Sequence, residues 1–203
     1  MKYVLSFVVI VFIVVGICGL IHLYRVSVKN KKEMAQYAGK TIEVDKDLGK
    51  TLIVYYSLTG RTKAIAKIIA ENLKGDLFEL NTAEALPSGV NLHLAIKNQI
   101  KTKEYPALKA LPDLSAYDTV FVGAPVWWYT VATPVLSFLN QIDFQGKKVV
   151  PFSTQGSNVG TFFEDFATAA KNANILLHAS FNNMGKEYDQ AVKAKIAEWI
   201  NGL

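Results

Sequence analysis

The segment Ser57-Leu-Thr-Gly-Arg-Thr62 places three hydroxyls, one glycine and one guanidinium between an apolar run and a helical pattern. Backbone N–H groups and the helix dipole at such a junction attract an anion. Ser57, Thr59 and Thr62 can add hydroxyl donors, Arg61 a charge, and Gly60 lets the backbone approach closely. Plain N-capping is the bland alternative, but a cap needs one hydroxyl, not three. The segment is not a Walker A loop, which needs G-x-x-x-x-G-K-[ST]. Nor is it a phosphatase loop, because no cysteine is at hand as nucleophile.

Two further segments have unusual composition. Ala124-Pro-Val-Trp-Trp-Tyr-Thr130 holds three successive aromatic residues. Neighbours on an extended chain face opposite ways, so Trp127, Trp128 and Tyr129 cannot all enter one core. Either some of them line a pocket for a flat ligand, or they pack against helices. Ser153 to Gly160 is small and polar and can offer backbone donors to a ring edge. Acid–base and nucleophile sets are missing. His93 and His178 have no ligand-spaced partner and read as surface or core residues. Glu164 and Asp165 read as first-turn acids of a helix. A phosphate-type loop beside an aromatic wall therefore points to a cofactor that brings the chemistry itself.

The elements that must position these segments follow from periodicity. Thr51–Tyr56 is a β-branched and aromatic run, expected of a strand buried on both faces. Ala64, Ile65, Ile68, Ile69 and Leu73 recur at helical spacing, and Gly75 ends that helix. Further strands are expected at 76–80, 119–123, 147–152 and 175–180, with helices at 92–103, 134–141, 162–172 and 187–200. Strands alternating with helices make an α/β fold: a doubly wound, five-stranded parallel sheet. Ligands of such sheets bind beyond the carboxyl ends of the strands, where the strand order reverses. The three unusual segments follow strands one, three and four, where such a site lies.

Composition narrows the partners. Of 203 residues 51% are hydrophobic and 19% charged, which excludes a disordered chain. The net charge of +5 belongs to residues 1–40. The remainder carries sixteen basic and sixteen acidic residues, so the body makes no electrostatic case for nucleic acid. The single cysteine, Cys18, excludes a disulfide framework and a cysteine-based metal site; no metal is expected. Val4–Leu23 is twenty residues without Asp, Glu, Lys or Arg, long enough to cross a bilayer as a helix. It exceeds a signal-peptide apolar region, and no A-x-A site follows. Ile17 is too bulky to suit lipoprotein processing at Cys18. An uncleaved membrane anchor at 1–24 is the reading, ahead of a lipoprotein or a cleaved signal. A basic tether spans 25–49 and the folded domain 50–203. Arg25, Lys29, Lys31 and Lys32 follow the span closely, which sets the domain on the cytoplasmic side of the cell membrane.

Three motifs, in order, resemble the flavodoxin family. Thr51-Leu-Ile-Val-Tyr-Tyr-Ser-Leu-Thr-Gly-Arg-Thr62 resembles its strand, phosphate loop and helix; Val122-Gly-Ala-Pro-Val-Trp-Trp128 and Val150-Pro-Phe-Ser-Thr-Gln-Gly156 resemble its next two ligand loops, and Lys103-Glu-Tyr-Pro106 its proline-containing stretch. The resemblance implies a short-chain flavodoxin-like fold with strand order 2-1-3-4-5, preceded by one transmembrane helix, and FMN as cofactor. By it, Ser57, Thr59, Gly60, Arg61 and Thr62 hold the FMN phosphate. Ala124, Pro125, Trp127, Trp128 and Tyr129 flank the isoalloxazine, and Ser153, Thr154 and Gly156 close its other edge. Electron transfer with a redox partner protein or a quinone is the first expectation. An NAD(P)H-dependent quinone or small-molecule reductase is the second, and a non-catalytic membrane scaffold the third.

Overall fold

The computed structural model describes residues 2–183 and 185–203. The chain forms two compact units, Met1–Lys40 with Met184–Val192, and Thr41–Asn183 with Lys193–Leu203. The first holds helix α1, Lys2–Ala35. Its segment Ile10–Ala35 is long and apolar enough to span a membrane. The helix runs on through Arg25, Lys29, Lys31 and Lys32, further than the sequence suggested. Lys32 in its last turn suits the negative end of the helix dipole.

The second unit is built on a parallel sheet. Its strands are β1 (Thr51–Tyr55), β2 (Asp76–Glu79), β3 (Thr119–Trp127), β4 (Thr130–Val131), β5 (Lys148–Gln155), β6 (Asn174–Ile175) and β7 (Ala179–Asn182). The order is β2-β1-β3-β5-β6, with β4 antiparallel on β3 and β7 parallel on β5. Counting β6 and β7 as one interrupted edge strand, this is the expected 2-1-3-4-5 order. Helices α2 (Arg61–Leu73), α3 (Gly89–Thr102), α4 (Thr133–Gln141), α5 (Phe162–Ala169) and α6 (Asp189–Asn201) connect and close it.

Alternation along the central strands splits the core. Leu52, Val54, Val120 and Val122 pack with Val135, Phe138 and Leu139 of α4 and Phe162 and Phe166 of α5. The intervening side chains, Phe121 and Phe152, meet the indole of Trp199 edge-on, as does Phe181 of β7. Residues 119–125 of β3 pair in register with 148–154 of β5. Both strands thus outrun their expected ends at 123 and 152.

The edge strand expected at 175–180 is broken. Leu177 gives its carbonyl to the Trp199 indole N–H (2.9 Å) instead of to a neighbouring strand. His178 stacks on Phe163, ring centroids 3.7 Å apart, and burial holds its pKa below the usual histidine value. Short, interrupted edges also resist pairing with other chains.

Gly123 lies in β3 where an added Cβ would meet the Phe152 ring. Replacing it with alanine must shift that ring, which has no exposed surface to move into. Gly123→Ala should cost about 1–3 kcal/mol by overpacking. Urea unfolding should show a lower midpoint; an unchanged midpoint contradicts the packing described here.

Candidate functional site

The first unusual segment forms the bend between β1 and α2. Tyr56 still donates its N–H to the Gly123 carbonyl at 3.1 Å, after which the chain turns outward. Gly60 is the N-cap residue of α2, with φ 84° and ψ −8°. That left-handed conformation suits glycine, and an added Cβ there would meet nothing within 4 Å. No side chain caps the helix, so capping does not account for the three hydroxyls. The Ser57 Oγ is buried and has no hydrogen-bond partner. An orphaned buried hydroxyl costs about 1–3 kcal/mol unless something outside the chain satisfies it. Thr59 and Arg61 are exposed. The buried Thr62 hydroxyl instead lies 2.9 Å from that of Thr154, tying the start of α2 to the end of β5. Behind the loop, Lys63 pairs with Glu79 at 2.6 Å, and this hydrogen bond raises the lysine pKa.

The second segment is a strand and a turn, not a loop. Trp127 pairs with Thr130 and Val126 with Val131 across a two-residue turn formed by Trp128 and Tyr129. Both turn residues have positive φ, 49° and 66°. Such turns favour Asn-Gly, and a non-glycine residue pays about 1–2 kcal/mol in this region. The surroundings hold the turn in place. Thr161 donates its backbone N–H to the Tyr129 carbonyl at 2.8 Å. Gly160 (φ 62°) comes so close to that carbonyl that no Cβ would fit. Thr130 and Thr161 both donate their hydroxyls to Asp165 Oδ2. The Lys97 ammonium sits 5.5 Å from the Trp128 ring centroid. Strain over-determined in this way is typical of ligand sites. Trp127, half-buried, meets Tyr56 edge-on at 5.5 Å. Burial raises the Tyr56 phenol above its usual pKa.

Between these elements lies a cleft of about 470 Å³. Trp127, Trp128 and Tyr129 form one wall, and Gln155 to Asn158 a second. Leu58 comes from the first segment, and Leu92, His93 and Ile96 from α3. Of the sequence-derived candidates, Trp127, Trp128, Tyr129 and Gly156 border the cleft. Ser57, Thr59, Gly60, Arg61 and Thr62 gather at the adjoining helix start. Ala124 and Ser153 are fully buried in the sheet, Ser153 hydrogen-bonded to Gln155 at 3.0 Å. Pro125 and Thr154 face each other in the β3–β5 register. The α3 wall, including His93, was missed from sequence. Its helical period showed an element but not its neighbour. Among the described residues no group of His, Cys, Asp and Glu could hold a metal ion.

The arrangement suits one ligand with an anionic end and a flat end. The uncapped helix start and the Ser57 hydroxyl fit the anion, and the aromatic cleft fits the ring. Comparison with known proteins agrees. The flavodoxin family model matches residues 50–203. A flavoprotein of Lactobacillus acidophilus, solved in complex with FMN, is 28% identical, with TM-score 0.60 over 65% of this chain and 93% of that one. A flavoprotein structure from Bacteroides uniformis is also 28% identical, with TM-score 0.61 over 76% of this chain and 99% of that one. An NAD(P)H dehydrogenase (quinone) of Cupriavidus metallidurans is 23% identical over 166 residues, 76% of this chain and 79% of that protein.

The turn gives a direct stability test. Replacing Trp128-Tyr129 with Asn-Gly relieves about 1–2 kcal/mol at position 129 and part of that at position 128, where asparagine tolerates the left-handed region, and gives up about 0.5–1 kcal/mol of cation–π contact with Lys97. The ligand-free double variant should melt a few degrees higher than the parent in a thermal scan. A lower Tm contradicts the strained turn.

Proposed function

Because the chain belongs to the flavodoxin family, we propose that it is a membrane-anchored FMN protein that passes electrons between a donor and an acceptor. FMN is its cofactor, and when bound it supplies one- and two-electron transfer. The observation that carries the reading is the orphaned Ser57 hydroxyl beside an uncapped helix start. Ser57 and Thr59 with the backbone from Gly60 to Thr62 would hold the phosphate, and the Arg61 side chain would add positive charge. The Thr62–Thr154 contact keeps that grip in register with the far edge of the cleft. Trp127, Trp128 and Tyr129 would shield the ring from water on one side, and Gln155 to Asn158, with Gly156 among them, would close the other edge.

A second reading is an NAD(P)H-dependent quinone reductase using the same FMN. It is favoured by relatives that are NAD(P)H dehydrogenases (quinone) and by an apolar helix that would bring the domain close to membrane quinones. In both readings the apolar part of α1 spans the membrane, and the basic residues in the remainder of that helix hold the domain in the cytoplasm, where reduced pyridine nucleotides are supplied.

The purified full chain should show a flavin absorption spectrum. Bleaching by NADH or NADPH, reversed by a soluble quinone, selects the reductase. Bleaching by dithionite alone selects the electron carrier. A colourless chain that takes up no FMN overturns both. Ser57→Ala should weaken FMN roughly 10-fold or more, the worth of a hydrogen bond to a charged group. The same change should not lower the Tm of the FMN-free protein, because it removes a polar atom that has no partner there. A lower Tm with unchanged FMN affinity would falsify the role given to Ser57.

A further inference from the structure

Helix α3 carries a surface that the cofactor cleft does not explain. Leu92, His93 and Ile96 face the cleft. Val90 and Leu94 do not line it, yet they are 74% and 62% exposed. They stand at i and i+4, and Lys97 and Lys101 continue the row at i+7 and i+11, so all four share one helical face. Both lysines are exposed, and the helix holds no Asp or Glu. The stripe adjoins the cleft mouth, since Lys97 lies over the Trp128 ring. Trp128 and Tyr129 are themselves 48% and 61% exposed. A helix face that pairs bare aliphatic side chains with unopposed lysines, beside exposed Trp and Tyr, has the chemistry of a bilayer interface.

We propose that this face, Val90, Leu94, Lys97 and Lys101 with the Trp128–Tyr129 turn, docks on the headgroup region of an anionic membrane. The aliphatic and aromatic groups enter the interface and the lysines meet lipid phosphates. Charge complementarity selects this occupant over a neutral apolar partner, and a chain that itself spans a membrane keeps such a surface within reach. Docking would turn the cleft mouth toward the bilayer, so the acceptor it favours is a lipid-soluble one. The inference rests on the anchoring proposed above.

The test uses the full chain in vesicles of phosphatidylcholine and phosphatidylglycerol. Cys18→Ser removes the single cysteine. Leu94→Cys then carries an environment-sensitive fluorophore on the stripe, and Val90→Cys repeats the reading should the first variant be unstable. Ala116→Cys, exposed ahead of the first residue of β3, is the control. Flotation after an alkaline wash reads the anchor separately. The stripe label should be blue-shifted and quenched by lipids with a shallow spin label, and the control should not. Lys97→Gln with Lys101→Gln should lower the docked-to-undocked ratio roughly 25-fold, at about one factor of five per lysine on an anionic surface. Vesicles that float with an unquenched stripe overturn the docking and leave the anchor standing. Disulfide crosslinking between copies through position 94 assigns the face to a second chain and also overturns it. A chain that fails to float removes the anchor and the docking together.

Discussion

A hydroxyl buried without a partner is a cost that folding alone does not explain, and Ser57 carries one beside the start of α2. Much of the site depends on that constraint. A parallel sheet brings the carboxyl ends of β1, β3 and β5 to one rim, and the Thr62–Thr154 contact locks the first and third of these together. The helix start thus keeps its first turn uncapped by any side chain, with Gly60 open above it. The Ser57 hydroxyl there has no partner within the chain. Free energy withheld from the folded chain in this way becomes available to ligand binding.

The Trp128–Tyr129 turn follows the same logic on the ring side of the cleft. Two aromatic residues at positive φ are held by Gly160, Thr161 and the carboxylate of Asp165, all from the approach to α5 or its first turn. The acid pair Glu164-Asp165 read as ordinary first-turn residues in sequence, and both do lie in that turn. Asp165 has the added task of holding Thr130 and Thr161. The strain is local, but its supports come from about thirty residues away. A stable hairpin would have used Asn-Gly; this one presents two exposed rings instead.

Much of the fold was legible because its signals are local. The unbroken run expected over Thr51–Tyr56 forms β1 to Tyr55, the helical spacing after Gly60 forms α2, and the three unusual segments lie at the carboxyl ends of β1, β3 and β5. What the sequence hid depends on distant partners. β3 was expected to stop at Gly123, but its pairing with β5 carries it on through Pro125. In the structure Pro125 keeps its place by accepting from Ala132 N–H at 3.2 Å, a bond that needs no N–H from proline. The run 175–180 looks like one strand, but an indole 22 residues onward takes the Leu177 carbonyl. The α3 wall was unseen since amphipathicity tells which face is buried, not against what. The end of α1 was placed too early because Lys, Arg and Glu after the apolar span are good helix formers as well as tether residues.

The claim on which the rest stands is that the segment from Ser57 to Thr62 grips a phosphate. The direct measurement is the ratio of dissociation constants for FMN and riboflavin, two ligands with the same ring that differ by that group. Two or more hydrogen bonds to a charged phosphate, at about 1.5–3 kcal/mol each, predict that FMN binds at least 100-fold more tightly. Equal affinities would mean that the aromatic cleft alone does the binding, and that the orphaned hydroxyl has some other purpose.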